Sequence, residues 1–188
     1  IRILIALQFA TLLFGQKIFE EFEKDRNNKY HYKETYRFDT VPDDGSYTVL
    51  LESVEGDIRV SAHKGASAEI TIIRKIRATR EKKAKRLVND AKILVYHVED
   101  DQLIQVRSEK KIRYKRGVHT EFELKLPMNI NLNLKTTGGD IDVTDIRGES
   151  VLRTSGGDLD LENLMGRIEA HTSGGDIDVS RVEGLIRV

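Results

Sequence analysis

Apolar and polar residues alternate along much of this chain. From Phe122 the positions Phe122, Leu124, Leu126, Met128, Ile130, Leu132 and Leu134 are apolar at every second residue up to Thr136, which is the period of a strand with one buried face. Pro127 falls on an outward position of that run and suits a strand boundary or edge. Beyond it the alternation becomes a repeat. The segments TTGGDIDV (136–143), TSGGDLDL (154–161) and TSGGDIDV (172–179) start 18 residues apart with nothing inserted. Gly148, Gly166 and Gly184 recur at the same period, so each unit reads as two short strands separated by two glycine corners. Ile141 and Val143, Leu159 and Leu161, and Ile177 and Val179 are the expected core positions. One unit cannot bury its apolar side alone, but units stacked at about 4.8 Å make two parallel sheets with aliphatic ladders between them. The prediction is an all-β fold: a single-stranded parallel β-helix or solenoid with 18-residue coils, its handedness open. Corner glycines Gly138, Gly139, Gly148, Gly156, Gly157, Gly166, Gly174, Gly175 and Gly184 are expected to supply positive φ.

Upstream the texture changes. A diverged copy, VEGDIRVSAHKGAS, carries Gly56 and Gly65, and beyond it Ala68, Ile70 and Ile72 sit one residue out of step, which predicts a one-residue insertion. Ala84, Leu87, Val88 and Ala91 fall on one helical face, predicting a helix over 79–91 with Thr79 as N-cap. A hairpin is expected over 92–109, turning at Glu99, Asp100 and Asp101. Tyr30, Tyr32, Tyr36 and Phe38 share one face of an extended segment, expected to cover the N-terminal end of the stack.

The first fifteen residues hold one charge, Arg2, before an apolar run from Ile3 to Phe14. That run is shorter than the roughly twenty residues a membrane-spanning helix needs and fits the apolar region of an export signal. The expected organisation is a truncated leader over 1–15, a polar segment over 16–35, and the β-solenoid domain over 36–188. The helix and hairpin are inserted in that domain, and the regular repeats occupy 136–188. The third unit stops one residue short at Val188, predicting further coils or a cap beyond it. Membrane contact is expected only through an anchor at either end.

Composition narrows the chemistry. Hydrophobic residues make up 39% and charged residues 33%, an ordinary globular balance. The absence of cysteine excludes disulfides, thiolate metal sites and a thiol nucleophile. The five histidines show no HxxxH or HExxH spacing, which leaves a zinc-hydrolase motif without support. The formal net charge is zero, but the charge is segregated. Residues 74–92 and 107–116 are strongly basic, whereas 136–188 holds eleven acids against five arginines. Two acidic columns follow from the repeat, Asp140, Asp158 and Asp176 in the first and Asp142, Asp160 and Asp178 in the second. These six are the calcium candidates, since Ca²⁺ takes six to eight oxygen ligands. The competing expectation is turn chemistry, each first-column Asp accepting N–H bonds within its own corner.

In the order of these features the chain resembles the bacterial putative-adhesin domain family, a β-solenoid of unknown function with recurrent T-S-G-G-D-I motifs. The likeness runs from about Tyr36 to Val188. It takes in the early G-D-I-x-V at Gly56–Val60, a charged helix, a hairpin, a strand ending in Leu126 and Pro127, and the glycine-paired repeats. The resemblance implies export to the envelope or surface and carries over no catalytic residue. The expected function is therefore that of a non-enzymatic, exported adhesin or surface scaffold. It is periplasmic, surface-bound or secreted, meets a protein or glycan partner at the cell envelope, and has no cofactor and no nucleic-acid partner. The alternatives are a carbohydrate-active β-helix enzyme and a membrane-anchored envelope-stress signalling accessory.

Overall fold

The computed structural model describes residues 12–14, 16–27, 29–109 and 117–188. Alternating segments form strands throughout. The chain opens with β1 (Leu12–Phe14), β2 (Gln16–Lys24) and β3 (Tyr30–Phe38), then runs through β4 (Thr48–Val54), β5 (Asp57–His63) and β6 (Ala68–Ile76). The helix α1 (Glu81–Asp90) leads into β7 (Ile93–Val98), β8 (Leu103–Ser108) and β9 (Val118–Pro127). The repeats supply β10 (Asn131–Thr136), β11 (Ile141–Thr144), β12 (Arg147–Thr154), β13 (Leu159–Glu162), β14 (Met165–Thr172), β15 (Ile177–Ser180) and β16 (Glu183–Arg187).

These strands make two mixed eight-stranded sheets, in the orders β1-β7-β8-β4-β10-β12-β14-β16 and β15-β13-β11-β5-β9-β6-β3-β2. Successive strands from β10 onward alternate between the sheets and pair in parallel at the repeat offset, Leu132 with Ser150 and Ile141 with Leu159. β4 and β5 lie directly beneath, Val49 against Leu132 and Ile58 against Ile141. β8 joins β4 in parallel and β9 joins β5 in parallel. Antiparallel strands then complete both sheets: β7 and β1 in the first, β6, β3 and β2 in the second. The fold is all-β apart from α1, but a single parallel solenoid describes only the repeat end of it. Antiparallel pairing takes over where the inserted segment doubles back.

Several local expectations change accordingly. Ala68, Ile70 and Ile72 are buried, yet β6 runs antiparallel to β9, so the chain reverses there instead of absorbing a one-residue insertion. The alternation from Phe122 to Leu134 spans two sheets, crossing between β9 and β10 at 128–130, and Pro127 closes β9 as a buried residue. The helix begins after Arg80, not Thr79, and no side chain caps it. Residues 16–35 are not a separate polar segment, because β2 pairs along β3 and both belong to the second sheet. The leader expected over 1–15 lies outside the described residues except for Leu12–Phe14, whose backbone pairs with β7.

Leu132, Leu134, Leu152, Ile168, Ile141, Val143, Leu159 and Leu161, from both sheets, meet in one core with Val49, Leu51, Ile58 and Phe122. Full burial of each such side chain contributes about 1.5 to 3 kcal/mol. Ile177 only partly joins this core and Val179 is 40% exposed, because β15 is the last strand of its sheet and nothing covers it from beyond among the described residues.

Positive φ accounts for only some of the glycine corners. Gly156, Gly157, Gly174 and Gly175 do not have positive φ. The expected positive φ is present at Gly139, Gly148, Gly166 and Gly184, and left-handed backbone falls also at Asp145, Asn163 and Arg181, one per coil. What demands glycine at 157 is the coil below, since a Cβ there would stand 2.1 Å from the Gly139 carbonyl oxygen. A Cβ at Gly156 or Gly138 would meet nothing within 4 Å. Gly157→Ala should therefore lower stability by about 1 to 3 kcal/mol or more, whereas Gly156→Ala should stay within about 0.5 kcal/mol of the parent. Thermal unfolding of the two variants checks this, and equal losses would refute it.

Candidate functional site

The T-S-G-G-D motif reads as one structural device repeated up the stack. Its threonine points inward and is buried at Thr136 and Thr154, so its hydroxyl needs partners. The Thr154 hydroxyl donates to the Gly139 carbonyl one coil below at 2.9 Å and accepts the Gly157 N–H at 3.3 Å. Thr172 does the same with the Gly157 carbonyl at 2.8 Å and the Gly175 N–H at 3.2 Å. The second glycine lets the corners touch. The aspartate then locks them: Asp140 Oδ1 accepts the Asp158 N–H at 2.9 Å, and Asp158 Oδ1 accepts the Asp176 N–H at 2.8 Å. Asp57 Oδ1 takes the Asp140 N–H at 3.2 Å and starts the ladder. The first column thus does turn chemistry, but between coils and not within one corner.

The second column faces outward on β11, β13 and β15, with Asp142, Asp160 and Asp178 in register. Arg59 on β5 extends the line, and its Nε donates to Asp142 Oδ2 at 3.2 Å. Burial raises the Asp142 carboxyl above the ordinary carboxylate pKa; Arg59 opposes this and Asp160 and Asp140 add to it. Asp160 and Asp178 are exposed. None of the six calcium candidates belongs to a convergent trio of metal-ligating groups among the described residues. Thermal unfolding of the metal-stripped chain with and without millimolar calcium should accordingly give the same midpoint. A site half-saturated a hundredfold below the free calcium would add about 2.7 kcal/mol.

The basic stretch is divided by the structure. Lys82, Lys83, Lys85 and Arg86 are exposed on α1, while Ala84 and Val88 pack against Tyr30, Tyr32 and Ile76. Arg74 is 2% exposed and belongs to no surface patch. Its guanidinium pairs with buried Glu34 through Nη2 and donates from Nη1 to the carbonyls of Ala91 at 2.7 Å and Val88 at 3.3 Å, closing the C-terminal end of α1. It also lies 4.6 Å from the centre of the Tyr32 ring. Glu34 accepts from the Tyr36 hydroxyl at 3.1 Å and from Lys17 at 3.0 Å. The other basic run, 107–116, lies outside the described residues beyond Glu109. Tyr30, Tyr32, Tyr36 and Phe38 are all buried in the second sheet, so they form core and not a solvent-facing platform; the strand outside them is β2.

Sequence reasoning missed the Arg74–Glu34 pair because its members are 40 residues apart on neighbouring strands. The charge at Glu34 within an aromatic alternation was the available signal. Among the described residues no helix is long and apolar enough to cross a membrane.

No family model matches the chain, and no curated protein matches it. A solved structure that is similar is that of a putative cell adhesion protein from Clostridium sporogenes ATCC 15579. It is 11% identical, with 82% of this chain and 96% of that one covered and a TM-score of 0.42. The family resemblance therefore rests on the order of motifs.

Two outcomes test the buried network. Arg74→Leu leaves Glu34 buried without its main partner and should cost about 3 to 5 kcal/mol, while the Arg74→Leu, Glu34→Leu pair should cost less than the two single changes summed. Denaturant titration of the three variants supplies the comparison. Burial together with the Glu34 charge pushes the Tyr36 hydroxyl from its ordinary value of 10.0 up to about 12. A pKa raised by folding means that the protonated form is favoured in the native state. Stability is thus fully present below about pH 10 and declines as pH rises toward 12, with ultraviolet absorbance showing late tyrosinate formation.

Proposed function

We propose that the chain is a non-catalytic adhesive scaffold, exported to the cell envelope, which holds a partner across the outer face of its second sheet. The observation that carries the reading is the outward line of Asp142, Asp160 and Asp178 on three consecutive parallel strands. Carboxylates at a strand spacing of about 4.8 Å repel one another and favour a cationic partner that spans several strands. Arg59 offsets one end of the line, and the other two members face solvent. The carboxylates of Asp140 and Asp158 in the first column are already engaged in holding coil to coil, so the face is rigid and its charges arrive pre-positioned. Exposed basic residues of α1 give the antiparallel end of the molecule the opposite sign.

The matching partner is a protein presenting regularly spaced lysine or arginine side chains at the envelope. Export is supported by the apolar run Ile3–Phe14 after Arg2. Binding to an envelope protein fraction should weaken with salt, as exposed charges are screened within about 8 Å at physiological ionic strength. Reversing Asp160 and Asp178 to lysine should weaken it about tenfold, each exposed charge contributing up to about 1 kcal/mol. Reversing Lys82 and Lys83 on α1 should not. Surface plasmon resonance with the fractionated envelope reads these effects. Turnover of an acidic polysaccharide, lost on replacing one of these aspartates, would overturn the scaffold reading.

A further inference from the structure

His119 and Glu121 stand two residues apart on β9 and therefore face the same side of the strand. The parallel register sets Asp57 of β5 opposite Glu121. Three potential ligands are thereby brought together by strand geometry alone, although 62 residues separate Asp57 from His119 along the chain. His119 Nε2 lies 3.2 Å from Asp57 Oδ2 and 3.3 Å from Glu121 Oε1, and the three atoms are all within 4.8 Å of one another. A tetrahedral ion with metal–ligand bonds of about 2.0 to 2.2 Å has neighbouring donor atoms about 3.3 to 3.5 Å apart, so two of the three separations already match.

We propose that Asp57, His119 and Glu121 form a binding site for a single divalent transition-metal ion of the zinc class. The ligand set, one imidazole nitrogen and two carboxylate oxygens, suits zinc or cobalt better than calcium, which asks for six to eight oxygens. Its supports are rigid. Asp57 Oδ1 is held by the Asp140 N–H, which leaves Oδ2 to face the histidine. Gly56 and Thr120, the neighbours of Asp57 and His119, are in such close contact that a Cβ on Gly56 would come within 2.0 Å of the Thr120 carbonyl oxygen. Glu121 is buried and the side chain of His119 is half-exposed, so the ion would be anchored from the sheet and keep a fourth position on the solvent side for water or a partner's ligand atom. Two cations oppose the ion: the Lys75 ammonium, opposite His119 on β6, bonds to Glu121 Oε1, and Arg59 on β5 acts on the same carboxylate from farther off. That opposition gives the proposal a signature which a plain hydrogen-bond cluster lacks.

The experiment titrates the full chain, stripped with chelator and dialysed, with Co²⁺ alone by visible absorption and with Zn²⁺ alone by calorimetry. The expected result is one equivalent of metal and the intense absorption of four-coordinate cobalt. His119→Ala should lower affinity by at least about tenfold. Lys75→Met, which removes the competing ammonium, should raise it several-fold. Asp160→Lys with Asp178→Lys, the variant that tests the adhesive face, should leave it unchanged, so the two readings fail separately. Circular dichroism verifies that each variant folds, and the gain in Lys75→Met stands even if His119→Ala does not. Absence of saturable binding below about 1 mM, equal binding by His119→Ala, or weaker binding by Lys75→Met would overturn the site.

Discussion

The passage of one corner directly over another is the constraint on which the repeat end of this molecule depends. At Gly157 and Gly175 a Cβ would lie 2.1 Å from the carbonyl oxygen of the glycine one coil below, a distance no side chain can occupy. Backbone therefore rests on backbone, and the groups around the contact are arranged to serve it. The threonine hydroxyl satisfies the buried carbonyl and amide that the contact would otherwise orphan. The aspartate carboxylate receives the amide of the next coil. An apolar ladder beneath can then keep a constant register, as every coil is held at the same height.

The same constraint organises the rest of the chain. Gly139 stacks on Gly56 with a Cβ clearance of 2.4 Å to its carbonyl carbon, so the coil containing β4 and β5 is seated under the first regular one. Between β5 and β10 the chain leaves this succession of coils and returns to it, with β8 and β9 pairing in parallel with β4 and β5 on the side away from β10 and β11. β6 doubles back along what becomes β9, α1 covers the aromatic end of the second sheet, and β7 and β8 turn as a hairpin at the edge of the first. Where the excursion crosses β3, Arg74 and Glu34 meet inside the protein and tie the end of α1 to the sheet. Burying that pair costs desolvation on both sides, which its hydrogen bonds and the nearby Lys17 offset.

Charge is consequently sorted by structural duty. First-column aspartates serve the stack and second-column aspartates face solvent. Of the basic stretch, Arg74 is internal, Lys75 is spent on Glu121, and the exposed remainder lies on the helix and beside it at Arg77, Arg80 and Lys92. Counting charges along the sequence could not separate these roles, since a guanidinium in the core and one in water contribute equally to the count.

The eighteen-residue period, the alternation of Ile141 and Val143 or Leu159 and Leu161, the helix near Glu81–Asp90 and the hairpin after it were all determined by the sequence, because periodicity and turn composition are local properties of the chain. The positions of the glycines were legible too, and positive φ is the reason at Gly139, Gly148, Gly166 and Gly184, but not at Gly157 and Gly175. Whether a glycine answers to its own φ or to a neighbour's carbonyl depends on which backbone lies below it, and only the stacked structure decides that. Tertiary structure alone also decided that β6 runs antiparallel, that the Tyr30, Tyr32, Tyr36 and Phe38 face is packed into the core, and that Asp57 meets His119 and Glu121. Each of these is a pairing between residues far apart in the chain. Such pairings are selected by register and by competition among strands of similar pattern, and a one-dimensional period carries no information about which strand wins.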